Sequence, residues 1–143
     1  VQSPGYVMIM AEMVHDARVI RLDGKHPPEN ITPWLGDSIG HWEGNTLVVE
    51  TTNFNPQHTF RGGLRHFFAI TSGAIVTERF TRISKDQILY RFYVDDPDIY
   101  SQVWAGEMPL RSVEDKIYEY ACHEGNYSMA NILAGAREEE KRR

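Results

Sequence analysis

Apolar and polar residues alternate along most of this chain, and the period changes to a helical one only near the end. The sharpest run is 40–51, where Glu43-Gly44-Asn45 makes a turn before a strand. That strand puts Leu47, Val49 and Thr51 on one face and Val48 and Glu50 on the other. A second hairpin is predicted from 75–83 and 87–94, folded across Ser84-Lys85-Asp86. Val76, Glu78 and Phe80 share a face in the first strand, and Ile88, Tyr90, Phe92 and Val94 share one in the second. Residues 6–14 and 17–22, with His15 and Asp16 between them, read as a tight hairpin or as one sharply bent strand.

Between these runs the punctuation is dense. Gly24, Pro27, Pro28, Pro33 and Gly36 make 23–37 a connecting loop. Residues 53–73 hold no sustained period and read as a long rim loop, with a short strand or helical turn at 64–70. Asp95-Asp96-Pro97-Asp98 is a turn, 100–105 a returning strand and 117–122 a further one. Beyond Gly125-Asn126, the residues Met129, Ile132, Leu133 and Ala136 fall at i, i+3, i+4 and i+7, which predicts an amphipathic helix over 126–140 with a charged tail. The expected fold is mainly β: an antiparallel β-barrel or strongly curved sheet of at least six strands, with one short C-terminal helix.

Composition narrows this picture. A chain of 143 residues that is 41% hydrophobic supports one ordinary core, so a single β domain over 1–143 is expected. Twenty acidic against fifteen basic residues give a formal charge of -5, and the basic residues are scattered, so nucleic acid is not an expected partner. Cys122 is the sole cysteine and forms no internal disulfide. No run approaches the roughly 20 apolar residues that span a bilayer. The chain opens at Val1, in a segment that soon becomes strand-like, and so reads as the C-terminal part of a longer precursor. Residues 6–14 are apolar on both faces, and a bare edge there is a template for a homo-oligomer or filament.

The candidate chemistry lies at turns and strand ends. His15 beside Asp16, with Asp23 and His26 nearby, is an imidazole–carboxylate pairing suited to a general base, although Asp16 also serves as a turn cap and His15 as a solvated strand end. Cys122 and His123 stand where a strand runs into a helix, which lowers a thiol pKa. Neighbouring strand residues point to opposite faces, however, and this favours a buried structural cysteine over a nucleophile. Glu12, Glu78 and Glu119 interrupt apolar runs. Glu78 has Arg79 and Arg82 close in sequence as ion-pair partners, whereas Glu12, among Met8, Met10 and Val14, is a candidate for an unusual acid. The six histidines show no i, i+2 or i, i+4 spacing, so no metal or other cofactor is expected. A metal site would have to gather His15, His26 and His123 with Glu124 from separate segments. The rings of the last strands, Tyr90, Trp104 and Tyr118 among them, are core residues with a share lining a ligand pocket alongside His26.

Several of these segments carry a resemblance. Glu12-Met13-Val14-His15-Asp16-Ala17-Arg18, Trp34-Leu35-Gly36-Asp37-Ser38, Trp42-Glu43-Gly44-Asn45-Thr46-Leu47-Val48-Val49-Glu50 and Tyr118-Glu119-Tyr120-Ala121-Cys122-His123-Glu124-Gly125-Asn126-Tyr127 resemble a family of uncharacterised exported bacterial proteins. The resemblance implies a periplasmic or secreted location and carries no catalytic residue set. Gly40-His41-Trp42 is also similar to the Gly-x-Trp element of lipocalin-like barrels. The leading expectation is a β-barrel that binds a small organic molecule. Cofactor-independent acid–base chemistry of the lyase, isomerase or hydrolase kind is assigned to its mouth, with His15, Asp16, Glu12 and His123 as catalytic groups and His26, Tyr90, Trp104 and Tyr118 as ligand contacts. The alternatives are a self-assembling structural protein and a metal-dependent enzyme.

Overall fold

The computed structural model describes residues 1–57, 59–61, 67–121 and 123–142. In chain order the strands are β1 (Gln2–Ser3), β2 (Tyr6–Met10), β3 (Ala17–Leu22), β4 (Asp37–Glu43), β5 (Thr46–Thr52), β6 (Thr59–Arg61), β7 (Phe67–Ala69), β8 (Ile75–Arg82), β9 (Gln87–Asp95) and β10 (Trp104–Arg111). They are followed by the helix α1 (Ser128–Lys141). Eight strands form one sheet in the order β1-β2-β3-β4-β5-β8-β9-β10, and β6 and β7 pair separately. The protein is mainly β, and of the two expected forms the open curved sheet is the one present: among the described residues β1 and β10 are its edges, and no barrel closes.

The described residues fall into two compact units, Val1–Met10 with Ala17–Asp115 and Ala11–Asp16 with Lys116–Arg143. The first holds the whole sheet. Its hairpins follow the alternation: Glu43 faces Thr46 across Gly44-Asn45, with Gly44 at φ +61°, and Val76, Glu78 and Phe80 face Val94, Phe92 and Tyr90. The register therefore places Val7, Ile9, Ile20, Leu22, Leu47, Val49 and Phe80 on one face, where Ile20 and Val49 are fully buried.

Curvature is written into that face. Arg18 of β3 makes a bidentate bond to Glu78 of β8, at 2.6 and 3.0 Å, although β4 and β5 lie between them. Three strand spacings of about 4.8 Å would hold these strands about 14 Å apart in a flat sheet, so the face carrying both residues curls inward. Gly40 sits in the fold of the curl: a Cβ there would lie 2.9 Å from Ile20 Cγ2 and 3.0 Å from the Val48 carbonyl. Farther out, Phe92 lies over Gly106 on the partner strand, whose absent side chain leaves room for the ring.

The antiparallel sheet carries one exception, and three expectations are corrected. The pairing is not wholly antiparallel, because β3 and β4 run parallel; the loop 23–36 is long enough to carry the chain back over the sheet, which a parallel pair requires. The strand expected at 100–105 begins at Trp104 and runs to Arg111. Gly106 and Pro109 hide it in the sequence, and its place at the edge tolerates them. Residues 117–121 form no strand, since no strand among the described residues offers them a ladder, and Tyr118 is 68% exposed; Cys122 lies outside the described residues. The segment 6–14 is not a bare edge strand. It ends at Met10, and β1 together with the Val1 main chain pairs it as far as Met8. Of the stretch 64–70, residues 67–69 are β7, whereas 64–66 lie outside the described residues.

In the second unit, residues 13–15 make a single 3-10 turn in which Val14 and His15 both take positive φ, at 62° and 56°. Helix α1 starts where Asn126 Oδ1 accepts from the Ser128 main chain and hydroxyl, at 3.1 and 2.6 Å. Its apolar stripe of Met129, Ile132 and Leu133 is exposed. No helix is long and apolar enough to cross a membrane among the described residues.

Candidate functional site

The parallel return of the chain builds the site. Asp23 turns the chain out of β3 at φ 55°, and its main-chain N–H donates to the Gly40 carbonyl at 2.9 Å. Arg21, on the outer face of β3, holds the loop by donating to the Lys25 carbonyl at 2.9 Å. The same guanidinium makes two bonds to Asp37 at the start of β4, at 2.7 and 2.9 Å. Asp37 is buried, and its second oxygen also meets His26 Nδ1 at 2.7 Å. On the other side of the ring, His26 Nε2 lies 3.2 Å from a carboxylate oxygen of Glu50.

The loop is anchored a second time by Asn53. This residue is buried at φ 56°, a left-handed conformation that asparagine tolerates better than most residues. Its amide donates to the carbonyls of Pro27, Pro28 and Ile31 at 3.1 to 3.3 Å and closes the loop over the end of β5. Gly36 finishes the loop at φ +72°, where a Cβ would meet Thr51, the Thr52 carbonyl and Phe54 at 2.8 to 2.9 Å. Opposite stands the turn 71–74, held by buried Asp96, which accepts from the Thr71 main chain at 2.7 Å and from its hydroxyl at 2.9 Å.

These three pieces enclose a cleft of about 610 Å³. It is lined by His26, Pro27 and Glu29 from the loop, Thr52 and Asn53 from the end of β5, and Ser72, Gly73, Ala74 and Ile75 from the turn. Its size falls within the usual range for a small organic ligand. Burial raises the pKa of Asp37, but the hydrogen bonds from Arg21 and His26 outweigh that effect and hold the carboxyl below its usual range. Arg21 is correspondingly raised, chiefly by its hydrogen bond to Asp37. Asp37 accepts from Nδ1–H, and the Glu50 carboxylate facing Nε2 likewise accepts only from an N–H, so a proton at Nε2 is held between the ring and Glu50. The arrangement is chemically equipped to take a proton from a bound molecule and to return it.

Of the residues the sequence singled out, His26 lines this cleft. Tyr90 and Trp104 lie on the inner face of the sheet. Tyr90 donates to Glu78 at 2.8 Å, and Trp104 packs edge-on against Phe92 and Tyr100. Glu12, His15, Asp16, Tyr118 and His123 belong to the second unit and are exposed, so the environment that singled out Glu12, an apolar strand, is absent. Among the described residues no group of three or more His, Cys, Asp or Glu is arranged to hold a metal ion. Asp37, Arg21, Glu50 and Asn53 were missed. The available signals were Asp37 directly after a glycine and before a strand, and the outward-facing Glu50 in an otherwise buried strand.

No family model, curated protein or solved structure matches the chain.

Proposed function

We propose that this protein binds a small polar organic molecule in the His26 cleft and that His26, oriented by Asp37, serves as the acid–base group there. The observation that carries this reading is the 2.7 Å contact of His26 Nδ1 with a buried carboxylate that Arg21 itself locks in place, on the wall of a 610 Å³ cleft. The chemistry that fits is proton abstraction and return without a cofactor, as in a lyase or isomerase. The same pair would also activate water for hydrolysis.

The test is a library of small hydroxylated carbonyl compounds and amines, screened by NMR on protein with ¹⁵N-labelled histidine. Binders are expected to shift the His26 ring signals and main-chain signals of Thr52, Asn53 and 72–75. For any compound that turns over, His26→Ala is expected to lower the rate by about 10²-fold or more. Binders that leave the His26 signals unmoved would refute the assignment of the cleft. Turnover that survives His26→Ala but is lost in His15→Ala or His123→Ala would return the chemistry to the residues the sequence favoured.

An exported location is proposed on the family resemblance alone. The assembly reading draws less support: β1 and the Val1 main chain cover β2 as far as Met8, and the other edge, β10, carries Glu107, Pro109 and Arg111, the kind of residues that guard an edge against pairing.

A further inference from the structure

The inner face of the sheet ends in a groove of about 440 Å³, formed by Val7 and Ile9 of β2, Leu47 of β5, Phe80 of β8 and Ile88 of β9. Alternation puts all five side chains on one face, and the lining contains no acidic residue. Arg82, at the end of β8, supplies the charged side chain of the groove. Its main chain is tied to the β4–β5 turn in both directions: Asn45 Nδ2 donates to the Arg82 carbonyl at 2.8 Å, and the Arg82 N–H donates to the Asn45 carbonyl at 3.2 Å.

The charge of Arg82 is what identifies an occupant. On β3, β8 and β9 the other arginines each meet a carboxylate: Arg18 with Glu78, Arg21 with Asp37, Arg79 with Glu43 and Arg91 with Glu107. Arg82 instead donates to two neutral carbonyls, those of Ser84 and Lys85, each at 3.2 Å. Among the described residues no carboxylate lies within ion-pair distance of it. An apolar trough that ends at a cation without a counter-charge is complementary to a molecule with a hydrocarbon tail and one anionic head. We propose that this groove is a second binding site, separate from the His26 cleft, for a medium-chain alkanoate, with the tail along Val7, Ile9, Leu47, Phe80 and Ile88 and the carboxylate on Arg82.

Trp42 also lines the groove and is half exposed, so its fluorescence reports occupancy. The experiment is a titration of the whole chain at pH 8 with octanoate, decanoate and dodecanoate below their micelle concentrations, and with decanol as the neutral control. Each methylene is expected to tighten binding about fourfold, hence about fifteenfold from octanoate to decanoate. Decanoate is expected to bind about tenfold more tightly than decanol in the native chain. Arg82→Gln should abolish that preference and Arg82→Lys should keep part of it. Ile88→Asp, which places a carboxylate on the tail's path, should remove binding with an unchanged far-ultraviolet spectrum, and Trp42→Phe should remove the signal while calorimetry still detects binding. The proposal is overturned if affinity is flat with chain length, if decanol matches decanoate in the native chain, if Arg82→Gln retains the preference, or if light scattering without ligand shows a dimer that decanoate does not dissociate.

Discussion

Removing the carboxylate of Glu78 is the most demanding test of how the sheet keeps its curl. The side chain of Glu78 is 6% exposed, and it accepts two bonds from Arg18 and one from the Tyr90 hydroxyl. Glu78→Ala strands a guanidinium that is itself 23% exposed and leaves the phenol without its acceptor. Breaking one side of a buried ion pair costs about 3–5 kcal/mol. The partial exposure of Arg18 admits water to the orphaned charge, so the lower end, about 3 kcal/mol, is expected. Tyr90→Phe removes one bond to a charged acceptor and should cost about 1.5 kcal/mol. The double change Arg18→Met with Glu78→Leu replaces the pair by apolar side chains and should return to within about 1 kcal/mol of the native chain.

Urea unfolding at pH 7 measures all three. With a slope of about 1–3 kcal/mol per molar urea, the loss in Glu78→Ala moves the midpoint down by about 1–3 M. The reasoning fails if Glu78→Ala costs less than about 1 kcal/mol, because the ion pair would then be an ornament on a sheet curled by packing alone. It fails equally if the apolar double variant is less stable than Glu78→Ala, because the penalty would then come from lost shape and not from a stranded charge.

Three other outcomes follow from the cleft and the inner face. The folded-state pKa of Asp37 lies below its unfolded value, so its contribution to stability is complete above about pH 4 and is lost as pH falls through the folded value. Acid titration of unfolding free energy should therefore show a shallower fall in Asp37→Asn than in the native chain. Tyr90 is shifted upward, first by burial and then by the charge of Glu78, so its contribution is complete below about pH 10 and is lost as pH rises toward the folded value; Tyr90→Phe should flatten the alkaline limb of the same measurement. Asn53→Gly keeps the left-handed backbone and loses the amide bonds, whereas Asn53→Ala loses both. The alanine variant should be less stable by a further 1–2 kcal/mol or so in urea, and equal stabilities would show that the backbone conformation is not what asparagine serves.

Much of the sheet was legible because its information is local. The hairpins at Gly44-Asn45 and at 84–86 join strands whose alternation is uninterrupted, and the faces read from the sequence are the faces that pair, down to Glu78 opposite Phe92 and Phe80 opposite Tyr90. The losses occurred where a decisive neighbour is distant. β10 contains a glycine and a proline that read as breakers, and only its position at the edge, with Phe92 filling the space over Gly106, makes them acceptable. Tyr118 and Tyr120 alternate as a strand should, yet a ladder needs a partner, and local pattern carries no information about whether one exists. The Arg18–Glu78 pair spans sixty positions. Its trace in the sequence was one arginine in β3 and one glutamate in β8, each on the face that their apolar neighbours bury, while the nearer Arg79 and Arg82 drew attention away.

The site was less legible than the sheet, and the parallel step from β3 to β4 explains why. A hairpin returns the chain at once and leaves little room for a loop to do chemistry, but a parallel return must carry the chain across the sheet before the next strand begins. That traverse has to be tied down, and the ties are Arg21 to Lys25 and Asp37, and Asn53 to Pro27, Pro28 and Ile31. Once the loop is tied, His26 hangs between the carboxylates of Asp37 and Glu50, and the anchoring groups become part of the wall or of the electrostatics of the cleft. A histidine–carboxylate pair adjacent in sequence, such as His15-Asp16, is conspicuous to a reader of sequence, but adjacency in an exposed turn orients nothing. Orientation comes from groups eleven or more positions away that the crossover brings together. In this sheet the long crossover between parallel strands, and not a tight turn, is therefore what gathers an imidazole and two carboxylates from separate segments.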